Sequence, residues 1–386
     1  MTRLLHSLVL ALIVVLLLVP AIPAGAQTQD PATGTGPSVS VTVLPYVGLW
    51  GGDFVLGSID NQVYHSIYDQ AGNGSSSSSL SSNVLAVNPG HHPMAIFAAE
   101  SGPIKNGIGF GGSGWNYSSN AAVAGNIKPF VDTSQGNNTN VNSDSLSTMG
   151  QTISANGGQQ YGATSAWNIQ NGEVGLIWYS TLPKGTVKLF TGVAYAHVEN
   201  STTITQASTS SNSYTSQDGS YSSFSHDEES ANASAKFDFK GFGPRLGGTV
   251  NTHLGRVAIE SNLNLAVLFG EEKGSGNFEF NDESFSSSSY QDTSMPSLTQ
   301  NSSSHNFNTM TSPYSTVSKI VVEMIEMQIS AGVNLGKFEL KAGIFVEAIK
   351  GLSGVANVNY SSWSDGQPIT PVLAGGTGTI TYRWGK

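Results

Sequence analysis

Few side chains in this chain could do chemistry, and most are spaced too far apart to act together. There are eight histidines. His91 and His92 are the one adjacent pair, beside Pro93. No further ligand at a metal-site spacing accompanies them, so a plain loop is expected there. Serines are so abundant that a Ser/His/Asp grouping arises by chance, and His253 lies beside a predicted short turn. Gly109-Phe110-Gly111-Gly112-Ser113-Gly114 matches a dinucleotide-binding spacing, but no helical periodicity follows it. Neither a catalytic group nor a cofactor nor a metal is therefore expected. A different set stands out: Arg245, Asn251, Glu260, Asn262, Asn264, Glu326, Gln328 and Glu347. These are charged or amide side chains recurring at alternate positions within otherwise apolar segments. Carboxylates in such a set can favour the passage of cations, or an inward arginine can neutralise them and leave a purely structural network.

The elements that would position this set are strands. Around Arg245, the even positions Leu246, Gly248, Val250 and Leu254 are apolar or small, while Arg245, Thr249, Asn251 and His253 are polar. After Gly255-Arg256 the phase swaps. Val257, Ile259, Leu263, Leu265, Val267 and Phe269 form one face, against Glu260, Asn262 and Asn264 on the other. A period of two with one apolar and one polar face marks a strand between two environments. Strands in soluble sandwiches are usually about 5–6 residues long. Strands of about 9–11 residues or more, apolar outward and polar inward, are the signature of a transmembrane barrel.

Composition agrees. There are no cysteines, which excludes a disulfide-stapled secreted domain. Charged residues make up only 11%, and Gly, Ser, Asn and Thr dominate. The chain opens with Arg3, an apolar run over residues 8–19, Pro20 and the small residues Ala24-Gly25-Ala26. That is the pattern of a signal peptide cleaved near Ala26, with a flexible leader over residues 27–38 and the barrel over 39–386. Without the signal, 15 basic and 26 acidic residues remain, so nucleic acid is not an expected partner.

Along the chain, strands are expected at 39–50, 174–182, 187–198, the two about Gly255, 317–335, 338–350 and 377–384. A weaker one falls at 54–68, and two short ones flank Ser101-Gly102-Pro103. Residues 72–82, 133–160, 200–232 and 271–314 are rich in Ser, Asn, Thr and Gly and read as long loops. Short turns carrying Lys184, Arg256 or Lys337 alternate with those loops, as periplasmic turns alternate with external loops in outer-membrane barrels. Counting back from the end and requiring an even total gives an all-β antiparallel transmembrane barrel of ten or twelve strands. Trp178, Tyr179, Tyr195, Trp363, Tyr382 and Trp384 fall near predicted strand ends, as in an interfacial girdle.

The segment Gly241-Phe242-Gly243-Pro244-Arg245-Leu246-Gly247, followed by a short turn and a strand ending at Leu268-Phe269-Gly270, resembles the Legionella-type major outer membrane protein family. The alternating stretch over 327–342 and the Gly-Thr-led last strand are also similar to that family. The resemblance covers about the last 220 residues and implies a pore-forming outer-membrane barrel. This chain departs from it in ending Arg383-Trp384-Gly385-Lys386, where such chains commonly end in Phe, with Trp384 as the candidate terminal aromatic.

Two-residue turns fix the pairing. Leu254 opposes Val257, Asn251 faces Glu260, and Arg245 faces Ala266. In the next hairpin Leu335 opposes Phe338, Glu326 faces Glu347 on the polar side, and Glu323 faces Lys350 on the apolar side as a rim pair. The eight polar residues above are thus the expected lining of a lumen without a bulky apolar plug. Passive diffusion of small hydrophilic solutes or ions through a porin-like barrel is one expectation. A surface adhesin or coat protein, with the barrel as anchor and the long loops as binding surface, is the other. The expected partners are outer-membrane lipid, lipopolysaccharide and those solutes, in the outer membrane of a Gram-negative bacterium. A porin-like oligomer stays open.

Overall fold

The computed structural model of the 386-residue chain describes residues 37–50, 54–55, 86–87, 90–104, 107–138, 149–182, 185–216, 220–254, 257–291, 298–353, 357–359, 362–364 and 368–384. The expected signal and most of the leader therefore lie outside the described residues, as do the serine run at 72–82 and most of the weak strand at 54–68.

Fourteen strands are described. The long ones are β1 (Ser38–Trp50), β4 (His91–Glu100), β5 (Ile108–Asn138), β6 (Met149–Leu182), β7 (Gly185–Ser216), β8 (Tyr221–Leu254), β9 (Val257–Gln291), β10 (Thr299–Leu335), β11 (Phe338–Lys350) and β14 (Val372–Arg383). These ten close into one antiparallel barrel in the order β1-β4-β5-β6-β7-β8-β9-β10-β11-β14, with β14 returning to β1. The short strands pair locally, β2 (Phe54–Val55) with β3 (Ala86–Val87) and β12 (Asn357–Asn359) with β13 (Ser362–Ser364). Closure satisfies every strand edge at this level, which is what allows an all-β chain to sit in lipid. The ten-strand count is one of the two totals expected, with three barrel strands before β6.

The hairpin registers are those the turns dictate. Leu254 opposes Val257, Asn251 opposes Glu260, and Arg245 opposes Ala266 between β8 and β9. Glu326 opposes Glu347, and Leu335 opposes Phe338, between β10 and β11. Gly336 in that last turn has φ +69°, a left-handed conformation that glycine adopts without a Cβ penalty. Side chains on the apolar face point outward: Phe242, Leu246, Leu265, Phe269, Ile344 and Ile380 are all more than 45% exposed. On β8 this band runs over residues 242–254. At about 3.3 Å per residue and a tilt near 40° it spans about 30 Å, the order of a bilayer's hydrocarbon core.

Much of the sequence expected as loop is strand. Residues 133–138, 149–160, 200–216, 221–232, 271–291 and 299–314 belong to β5–β10. The six strands continue past the apolar band as one hydrogen-bonded wall, about 65 Å further along β8. The Ser/Thr/Asn composition misleads because ladder bonds are made by the backbone whatever the side chain, and no lipid demands an apolar face there. Pro45, which cannot donate to a ladder, sits in β1 where the register slips against both neighbours, between Val43 and Val47 toward β14 and between Leu44 and Val47 toward β4.

Candidate functional site: the barrel interior

Inward side chains come from alternate positions of every strand, so the interior can be read in layers. Nearest the short turns lies an ion-pair layer. The Lys341 ammonium meets Glu260 at 2.8 Å and Glu339 at 3.2 Å, and the Arg383 guanidinium meets Glu339 at 2.6 Å. Lys188 meets Glu100 at 2.5 Å on the opposite wall. The Asn251 amide donates to Glu260 at 3.4 Å.

The next layer is organised by Arg245, whose side chain is 3% exposed. Its guanidinium pairs with Glu173 and, at 3.0 Å, with Glu326. Asn264 donates to Glu326 at 3.0 Å and Asn262 at 3.4 Å, and Ser113 donates to Glu173 at 2.6 Å. Glu347, fully buried, accepts from Asn171 at 3.3 Å. A buried carboxylate without a cation is strongly disfavoured, so one arginine tied to several carboxylates and amides is a locked arrangement.

Above this lies an apolar layer. Tyr117, Phe237, Phe239, Leu268 and Val322 are all 1% exposed or less, and Trp167 meets Phe237 edge to face at 5.7 Å between centroids, while Phe345, equally buried, sits on the short-turn side of Glu347. Further out, within the wall, Ala163, Ile204, Ala231, Ala233 and Phe278 form a second apolar patch.

All eight sequence-predicted residues occupy the inward register. Several of them are bonded to one another or to other inward charges. Arg245, Asn251, Asn264 and Glu347 are buried, and Glu260, Asn262, Glu326 and Gln328 are half-buried. Against the expectation of a lumen without an apolar plug, the interior holds this apolar layer, whose Tyr117, Trp167, Phe237 and Phe239 come from stretches of β5, β6 and β8 with weak alternation in sequence, and whose Leu268 and Val322 come from β9 and β10. Glu326 and Glu347, expected as a cation filter, are drawn into the cluster around Arg245, which matches the neutralised arrangement. Glu173, Lys341, Glu339 and Arg383 were missed. Glu339 and Lys341 were legible, because the pairing that sets Glu326 against Glu347 also turns them inward. The rim pair holds, with Lys350 and Glu323 at 3.2 Å and both exposed.

Other expectations need adjusting. His91 and His92 belong to a strand, where His92 meets the Tyr117 ring edge-on at 6.3 Å. Tyr179 points inward, with its hydroxyl buried, and is not part of a girdle. Trp178, Tyr382 and Trp384 face outward, with Tyr382 packed on Phe338 and Trp384. Among the described residues no group of three or more metal-ligating side chains occurs. On the outer wall, an apolar recess of about 490 Å³ lies at the β1 irregularity, lined by Tyr46, Trp50, His91 and Ile344 among others.

No protein-family model matches the chain, and no curated protein matches it. Among solved structures it is similar to the outer membrane protease OmpT of Escherichia coli, at 11% identity and a TM-score of 0.37, covering 94% of this chain and 100% of that one. It is also similar to the toluene transporters TbuX of Ralstonia pickettii (7% identity, TM-score 0.22, 92% of each chain) and TodX of P. putida (8%, 0.24, 93% of this chain and 91% of that one). These are outer-membrane β-barrels. Likeness at this level says nothing of what this chain binds or does.

Proposed function

We propose that this chain is a Gram-negative outer-membrane barrel whose interior is closed at membrane level, and that its working part is the six-strand wall beyond the membrane, a surface for adhesion or for coating the cell. One observation carries this reading: inward side chains are buried in successive sets, first the cluster around Arg245 with Phe345 beside it, then Phe237 and Phe239 further out. A barrel of ten strands has an interior that side chains can fill. The exposed apolar band supplies the membrane anchor, and the short turns would face the periplasm. Catalysis has no part in the reading.

The second reading is a pore for small hydrophilic solutes or ions. It is favoured by the charged lining at the short-turn end, where Lys188, Glu260, Lys341 and Arg383 point inward. It requires the apolar layer to move aside. Single-channel recording of the refolded protein in a planar bilayer separates the two. A quiet baseline with folded, inserted protein is expected. Discrete steps that scale with salt would overturn closure and establish the pore.

A further inference from the structure

The basic side chains of the barrel fall into sorted sets. Lys188, Arg245, Lys341 and Arg383 point into the interior. Lys337 lies in the turn between β10 and β11, and Lys184 and Arg256 fall in the sequence between β6 and β7 and between β8 and β9. Among the described side chains the outward-facing set is Lys236, Lys240, Lys273, Lys319 and Lys350, all near the far edge of the apolar band. Beyond them the segments 200–235 and 274–318 contain no lysine or arginine at all. A chain with an acidic balance thus concentrates its outward positive charge at one height.

Three of these lysines share one face. Lys240 of β8, Glu271 of β9 and Lys319 of β10 stand side by side in register. Two strand spacings separate Lys240 from Lys319, about 10 Å. Lys273 lies two residues further along β9, opposite Asp238. Lys240 pairs with Asp238 at 3.1 Å and Lys273 with Glu271 at 3.0 Å; both lysines and Glu271 are exposed, and half-buried Asp238 also meets His197 at 2.9 Å. Lys319 is exposed and makes no ion pair among the described residues. The row directly below is Phe242, Phe269 and Val321, each more than half exposed. Cations immediately above an exposed apolar surface match an amphiphile with a phosphorylated head and hydrocarbon chains.

We propose that Lys240, Lys273 and Lys319 form a binding site for the phosphate groups of a lipid of the outer leaflet, with its acyl chains lying on Phe242, Phe269 and Val321. Lys319 supplies the uncommitted charge. The pairs of the exposed Lys240 and Lys273 are weak enough for a phosphate to displace. The site does not depend on whether the interior is open or closed.

The test uses the full mature chain refolded in phosphatidylcholine bicelles and titrated with bisphosphorylated lipid A. Binding is read as retention of the lipid in native mass spectrometry and as a rise in the heat-modification temperature on gels. Saturable binding is expected, falling about tenfold or more in Lys240→Gln/Lys273→Gln/Lys319→Gln and measurably in Lys319→Gln alone. The single variant removes an exposed, unpaired side chain, so it keeps the test valid if the triple variant folds poorly. Equal binding by Lys319→Gln and by the folded triple variant would overturn the site. Equal binding of dephosphorylated lipid A would overturn phosphate recognition. Full competition by millimolar inorganic phosphate would show an anion site and overturn the lipid.

Discussion

At the scale of single residues, Arg245 decides whether the interior holds together. It is the cation that faces Glu173 and Glu326, and Glu347 lies in the same layer. Substitution by Ala leaves those carboxylates buried without a counter-charge, at a cost of about 3–5 kcal/mol. Urea unfolding followed by gel mobility should show that loss for Arg245→Ala, whereas Lys350→Gln, at an exposed pair, should change stability by about 1 kcal/mol or less. In the wall beyond the membrane, Glu229 faces Asp282 across the β8–β9 pair. Burial pushes its carboxyl above the ordinary range, Asp282 and Asp227 add to the effect, and the Ser208 hydroxyl opposes it. The folded wall therefore holds that proton more tightly than the unfolded chain does. Its contribution is fully present below the unfolded value and is lost as pH rises through the raised folded one. Relative to intrinsic exchange, amide protection in the far halves of β8 and β9 should rise on mild acidification, and Glu229→Gln should flatten that dependence and raise protection at neutral pH.

At the scale of elements, the lower hairpins were legible in the sequence because lipid imposes a strict alternation there. A slip of one residue would turn Leu246, Leu265 and Phe269 into the barrel and Arg245 into lipid, so the register admits one solution. Cysteines introduced as Asn251→Cys with Glu260→Cys should crosslink under oxidant, since directly opposed Cβ atoms lie about 4.5–5.5 Å apart. Asn251→Cys with Ile259→Cys should not, because Ile259 faces the other side. The far halves of β5–β10 were not legible for the opposite reason. Runs such as Ser286-Ser287-Ser288-Ser289 carry no face preference, yet they pair in unbroken register with Ser222–Ser225 on one side and Asn301–Ser304 on the other. Among the described residues the far half of β10 has no strand on its second side, and Pro313 removes a ladder donor there, which limits edge-to-edge association.

At the scale of the molecule, the sequence pointed to the polar half of the interior and missed its apolar half. Arg245, Asn264, Glu326 and Glu347 announce themselves as polar residues in apolar strands. Phe237, Phe239 and Phe345 do not, because an inward Phe reads as ordinary strand propensity. The consequence for transport is sharp. On the proposed closure, water and ions crossing the barrel meet an apolar layer with nothing to replace their hydration, held by dispersion contacts. Replacing Phe237, Phe239 and Phe345 by Ala removes three of the largest fully buried side chains at once. The triple variant should turn a silent barrel into a conducting one, at some loss of stability. The exposed path would then run past Glu100, Glu173, Glu260, Glu326, Glu339 and Glu347, against Lys188, Arg245, Lys341 and Arg383. Carboxylates outnumber bases, so the opened channel should prefer cations, and adding Glu326→Gln/Glu347→Gln should shift its reversal potential toward zero in a salt gradient. A folded triple variant that stays silent would place the closure in the Arg245 layer instead, and Arg245→Ala would then be the substitution that opens it.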